Sequence, residues 1–339
     1  MLDLFTPIAE DKKQHPIFKM LLQDQYRAER EVLSLWANGF EDRDGKFIYE
    51  FQTTFESSMW ELYLHAFLKE LGAQTDFAYS APDFVTTLDR PLTIEATIAA
   101  PPQGGIAPAG HKESVPQDFA EFNKLSAIRI SNSLSAKIKK YRTSYSKLDH
   151  VKDKPYVIGL ASFDQPYAHY AVNRAIVAVL YGIYVDEEST IDYSASELIR
   201  YPVSAVFKNE NTTIPVGLFT TEKYKDVSAV IYSSLATWGK IKALADNPKD
   251  IAVYHTLHAH DRESLVPEIR TTIKAEYKED IADGIHIIHN PFAEQPIQAS
   301  TFHHERIAQY FVDHDGNITI EAPEDFLLLR QIMSMRVRE

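Results

Sequence analysis

Glu61, Asp83 and Glu95 are the residues of this 339-residue chain whose types and spacing suit joint chemistry. Asp83 follows Pro82, and Glu95 lies twelve positions on, in Ile94-Glu95-Ala96-Thr97. Glu61 sits within the long apolar run that begins at Phe55. A helix and two strands that bring three acids together supply oxygen ligands for a hard divalent cation. Oxygen-only ligands favour Mg²⁺ or Mn²⁺ over zinc. A cation held that way polarises a phosphate and lowers the pKa of bound water, the chemistry of metal-assisted phosphodiester hydrolysis.

The elements that must position these acids are a helix and a hairpin. With Asp89-Arg90-Pro91 as the loop, Leu88 faces Leu92 and the strands alternate faces with a period of two. One face then collects Phe84, Thr86, Leu88, Leu92, Ile94, Ala96 and Ile98, and the other Asp83, Val85, Thr87, Thr93, Glu95 and Thr97. In this register Asp83 opposes Thr97 and Val85 opposes Glu95, so the two acids lie diagonally on one face. A one-residue slip would put an acid on the core face. Pro91 fits at the turn or strand start because it cannot donate to the ladder. The preceding helix, Phe55 to Leu71, stops at Gly72 and is apolar almost all round, so it is expected to be buried. At about 100° per residue, Glu56 and Glu61 point about 140° apart and cannot both serve one site; the pattern favours Glu61 as the more buried.

These residues resemble the PD-(D/E)xK nucleases, the restriction-endonuclease-like superfamily. The resemblance covers residues 51–163 and rests on a helix acid (Glu61), a Pro-Asp element (Asp83) and a second acid on the next strand (Glu95). It implies that the three acids bind Mg²⁺ and that a lysine assists the attacking water. Thr97 stands where that lysine belongs. The implied fold is α/β: a restriction-endonuclease-like mixed β-sheet core flanked by helices. The expected organisation is an N-terminal helical arm (1–50), a nuclease core (51–170) and an α/β C-terminal extension packed on it (171–339). The implied activity is that of a Mg²⁺-dependent nuclease, a DNA endonuclease ahead of other kinds, in bacterial restriction or anti-phage defence. The stretches from Val216 through Trp238 and from His286 to Pro296 loosely resemble an extension of uncharacterised bacterial nuclease-like proteins, which carries no mechanism.

A replacement lysine is sought on the helix expected between Asp118 and Leu148. Leu134, Ile138, Tyr141 and Tyr145 form its apolar stripe. Lys137 lies about 60° from Leu134, nearer the stripe than Lys139 or Lys140, and is the candidate catalytic lysine; its structural alternative is a snorkelling surface side chain. The chain as a whole has 35 Lys+Arg against 48 Asp+Glu, a net charge of −13, which argues against broad nonspecific affinity for nucleic acid. Yet Lys124 to Lys154 holds nine basic residues and two acids. Lys139, Lys140, Arg142 and Lys147 are therefore candidate backbone contacts, with a solvated helix face as the alternative.

The expected partners are nucleic acid, DNA ahead of RNA, together with a partner subunit or a second copy. With 45% hydrophobic residues the chain can bury a substantial core. No apolar run reaches the length of a membrane-spanning helix, and the start Met1-Leu2-Asp3-Leu4 lacks a signal pattern, so no membrane partner and a cytoplasmic location are expected. Absence of cysteine excludes disulfides and thiolate metal sites.

Further along, Pro16–Ala37 reads as a helix, 155–161 as a buried strand, 170–181 as a helix and 227–232 as a strand. The turn-forming loop Pro101 to Gly110 follows the Glu95 strand as a lid or a plain connection. His255, His258, His260 and Asp261 allow a zinc reading, with His289 and His303-His304 equally ambiguous. No phosphate loop or nucleophile elbow is present. The alternatives to a nuclease are a catalytically degenerate nuclease fold that binds nucleic acid or protein, a glycosidase using Glu61 and Glu95, and a structural domain with solvated strand acids.

Overall fold

A computed structural model describes residues 2–186, 189–190, 197–247, 250–259, 266–313 and 316–335. Helices α1 (Pro16–Leu21), α2 (Arg27–Trp36), α3 (Phe47–Thr53) and α4 (Phe55–Glu70) precede strands β1 (Gln74–Asp76), β2 (Phe84–Thr87) and β3 (Pro91–Ala99). α5 (Phe119–Thr143) leads to β4 (Tyr156–Ser162), and α6 (Arg174–Tyr181) to β5 (Ile183–Asp186), β6 (Ile199–Pro202), β7 (Ala205–Asn209) and β8 (Thr212–Pro215). Next come β9 (Ala229–Ser233), α7 (Trp238–Leu244), β10 (Ile251–His258) and β11 (Glu268–Ile273). β12 (His286–His289), β13 (Ala308–Val312), β14 (Ile318–Glu321) and β15 (Leu327–Met335) follow.

One mixed sheet of eight strands runs in the order β1-β2-β3-β4-β9-β12-β13-β14. β1, β2 and β3 form an antiparallel meander, and β3, β4 and β9 are parallel neighbours. Helices cover both faces. β4 is buried at every position, which is why it reads as a continuous apolar run rather than an alternating one. α1 to α4 and α7 share one hydrophobic cluster with Phe84, Leu92 and Ile94; α5 and α6 share the other with Tyr156, Ile158 and Leu160. α4 approaches so closely that a Cβ on Gly159 would lie 2.6 Å from Leu64 Cδ1, and Trp60 Nε1 donates to the Gly159 carbonyl at 3.1 Å. The molecule is thus mixed α/β, and among the described residues no helix is long and apolar enough to cross a membrane.

The hairpin keeps both expected faces but shifts its register. Phe84 pairs with Ile94 and Thr87 with Pro91, a slip of two residues from the expected alignment, because the loop is Leu88–Arg90 and Pro91 opens the strand. An even slip preserves the alternation, so the apolar set still packs against α4. The pairing stops at Phe84 and Ile94, and the side chain of Asp83, just before β2, takes the Ala96 N–H next to Glu95.

The segment Pro16–Ala37 is not a single helix. α1 ends at Leu21, and Arg30 donates to the Leu21 and Gln23 carbonyls, so a side chain satisfies the end of the helix where the chain turns. Phe18, Leu21, Leu33 and Trp36 all lie within the core. β4, before the expected boundary at residue 170, pairs directly with β9, after it. A separate three-stranded sheet, β11-β10-β15, is tied on through charge: Glu279 accepts from Lys240 of α7 at 2.5 Å and from Arg330 of β15, all three deeply buried. The helix expected from residue 170 begins at Arg174, after a 3-10 turn, and the strand expected from Val227 begins at Ala229.

Candidate active site

Glu95 projects from β3 toward α5, where its environment is one-sided. Its Oε1 accepts from Lys137 Nζ at 2.7 Å, Lys140 Nζ at 3.1 Å and the Tyr145 hydroxyl at 3.2 Å. Its Oε2 is buried and has no hydrogen-bond partner, although Glu95 as a whole is 1% exposed. A buried carboxylate oxygen without a donor costs free energy that a nearby cation would offset. The 3.6-residue repeat of α5 explains the convergence: Leu134 and Ile138 anchor the buried stripe, Lys137 sits at its edge, and the chain beyond the helix end brings Tyr145 back under Glu95. The side chain of Lys137 keeps 23% exposure, so its stem is covered while its ammonium faces the acid.

Asp83 lies just before β2 and accepts the Ala96 backbone N–H at 2.7 Å through Oδ2. Burial and then the charge of Glu95 raise its carboxyl above the ordinary range, and Lys137 pulls the other way. Glu61 on α4 is raised as well, first by burial and then by Asp83. Its side-chain exposure of 20% matches the 17% of Glu56, so burial does not separate the two acids; direction does. Glu56 faces His15 at 3.3 Å, whereas Glu61 faces Asp83.

Arg43 is the residue that the spacing argument missed. Its guanidinium lies 3.5 Å from Glu61 and 3.8 Å from Asp83 and donates to the Tyr79 and Pro82 carbonyls. The signal was a lone base among Glu41, Asp42 and Asp44, in a loop with no periodicity to interpret. Those acids, with Glu50, Glu61 and Asp83, line a cleft of ≈ 160 Å³. Among the described residues no three His, Asp or Glu side chains converge on one metal position; Arg43 links Glu61 to Asp83, and Glu95 is held from α5 instead.

Tyr156 adds a second orphan. Its hydroxyl is buried without a partner, it stacks on Tyr141 at 4.2 Å, and Glu95 and Asp83 are among the charges that raise its pKa, after burial. Lys139 and Lys147 are exposed. Lys140 is drawn inward to Glu95 and over the Tyr145 ring at 4.8 Å, and Arg142 pairs with Asp226 and the Lys223 carbonyl. Of the histidines, His258 uses both ring nitrogens on Asp325 and Thr256, His255 meets Thr271, and His289 meets Gln309. His260 and Asp261 lie outside the described residues. Comparison with family models, curated proteins and solved structures finds no match to this chain.

Proposed function

We propose that the chain is a metal-dependent phosphodiesterase, a nuclease acting on DNA ahead of RNA, with its site at Asp83 and Glu95. The observation that carries this reading is the divided Glu95 carboxylate, with three donors on one oxygen and none on the other. The order of helix acid, Pro-Asp and strand acid adds the restriction-endonuclease-like resemblance. Asp83 and Glu95, with the Ala96 carbonyl, are the groups that would hold Mg²⁺ or Mn²⁺, and the unpartnered oxygen and raised Asp83 carboxyl fit a cation. Bound there, the ion would polarise a phosphate and acidify a water. Lys137 reaches Glu95 from α5, not from the strand position held by Thr97, and supplies a positive group to a pentacovalent phosphate. Tyr145 holds Glu95 Oε1 in place, and Lys139 and Lys147 offer exposed charge to a phosphate backbone.

Nicking of supercoiled plasmid with Mg²⁺ or Mn²⁺ tests this. Cutting that Asp83→Ala and Glu95→Ala both abolish supports the site; cutting that survives both substitutions refutes it. The second reading, a degenerate nuclease fold that binds nucleic acid or protein, draws on the pairing of Arg43, Lys137 and Lys140 with the three acids. It expects no metal-dependent cutting, together with partner binding that Asp83→Ala leaves intact.

A further inference from the structure

A second cleft lies at the carboxyl ends of the parallel strands β3, β4 and β9, and it shares no lining residue with the acidic cleft. Open α/β sheets place ligands beyond the carboxyl ends of their strands. Ser162 and Phe163 close β4 here, Thr237 and Trp238 follow β9, and Pro108 and Ala109 come from the loop after β3. That turn-forming loop therefore covers this cleft. Arg129 holds its start by donating to the Ala100 and Pro101 carbonyls at 2.7 and 3.2 Å.

The walls are aromatic and the polar groups have unused valence. Phe55, Phe163 and Trp238 supply rings around a volume of ≈ 160 Å³, below the several hundred cubic ångströms of pockets for drug-sized ligands. Gln165 spends Nε2 on the Phe122 carbonyl and Ser126 Oγ, which leaves Oε1 to accept. Thr237 Oγ1 accepts the Gly239 N–H at 3.2 Å, which leaves its hydroxyl proton to donate. The Glu56 carboxylate, whose Oε1 lies 3.3 Å from His15 Nε2, keeps Oε2 as a further acceptor in the lining. Burial pushes His169 down to about 4, so at neutral pH it presents one donor and one acceptor. The segment that carries His169 is strained at both ends, with Tyr167 at φ +60° and β-branched Val172 at φ +49°. Such strain concentrates where a side chain must be held for a task. Between Phe163 and Gln165, the buried Asp164 leaves Oδ1 without a partner.

We propose that this cleft binds a planar heterocycle of nucleobase size that carries amino donors on one edge and a ring acceptor on another. The rings would stack on its faces, Gln165 Oε1 and Glu56 would take its amino protons, and Thr237 would donate to its ring nitrogen or carbonyl. Occupancy of this cleft does not depend on the phosphodiesterase reading, since none of its residues belongs to the Asp83–Glu95 site.

Thermal unfolding and tryptophan emission of the full chain, titrated with adenine, cytosine and uracil, test this directly. Adenine or cytosine should raise Tm and change the emission of Trp238, and uracil, which lacks an exocyclic amine, should bind about tenfold more weakly or more. Trp238→Phe should keep the Tm shift and lose most of the emission change. Ala109→Trp, in an exposed loop where folding is not at stake, should weaken binding about tenfold by plugging the mouth, as should Gln165→Leu. No Tm or emission response to any base overturns the proposal, and so does binding that Ala109→Trp and Gln165→Leu both leave unchanged.

Discussion

Lys137 and Glu95 stand forty-two residues apart in the chain and meet at 2.7 Å between Nζ and Oε1, beneath α5. The lysine is thus delivered to the acid from a helix, while the neighbouring strand position carries Thr97. On the phosphodiesterase reading, Lys137→Met keeps the aliphatic stem and removes the charge. It should lower the cutting rate about 10²- to 10³-fold, the usual cost of one transition-state donor. Circular dichroism should show the fold retained, and Lys137→Arg should recover part of the rate. Full activity in Lys137→Met would remove this lysine from the mechanism.

Arg43 is a cation already seated between Glu61 and Asp83, so a divalent ion must compete with it. Arg43→Ala should therefore bind Mn²⁺ about tenfold more tightly in a calorimetric titration. The same variant should be less stable than wild type without metal, because Glu61 and Asp83, both already raised by burial, lose their compensating charge. Added Mn²⁺ should narrow that difference. Unchanged Mn²⁺ affinity would mean that the ion does not approach this pair.

Much of the hairpin was legible because alternation is a strong signal and one face is apolar. Register was less so: a slip of two residues leaves every side chain on its expected face, so the pattern cannot distinguish the two alignments. Lys137 was legible from helical periodicity, since the position at the edge of a buried stripe is fixed by 3.6 residues per turn. Tyr145 counted there as stripe alone, although its hydroxyl reaches Glu95. Arg43 was beyond reach because loops have no period, and its partners are eighteen and forty residues away. The break in the N-terminal helix depends on Arg30 reaching back to the Leu21 and Gln23 carbonyls, a contact with no counterpart in the apolar pattern. The second cleft draws its walls from segments as distant as Phe55 and Trp238, whose meeting only the sheet order decides.

Gly159 is the point of closest approach between α4 and the central sheet. A Cβ there would fall 2.6 Å from Leu64 Cδ1 and 3.4 Å from Cδ2, in a core already buried on both sides. Gly159→Ala should cost about 1–3 kcal/mol in denaturant unfolding, the range of overpacked cores. Leu64→Ala should cost less in this background than it does alone, since it removes the atoms the new methyl meets, although the cavity it opens exceeds one methyl group and leaves the double variant below wild type. A neutral Gly159→Ala would show that α4 can shift away without loss.

His286 ties acid stability to the far end of the same sheet. It is buried at the start of β12, and burial pushes its imidazole down from 6.5 to about 3. Tyr310 accepts the Asn173 side-chain N–H at 2.8 Å, so its hydroxyl proton is directed to His286 Nδ1 at 2.9 Å and the neutral ring carries its own proton on Nε2. The folded pKa lies below the unfolded one, so the unfolded chain takes up the proton first as pH falls. The stabilisation is whole above pH 6.5 and drains away as pH falls toward 3. His286→Gln keeps an acceptor for Tyr310 and has nothing to titrate, so its urea midpoint should fall less than that of wild type between about pH 7 and about pH 5. Equal losses in the two proteins over that interval would assign acid sensitivity to other groups.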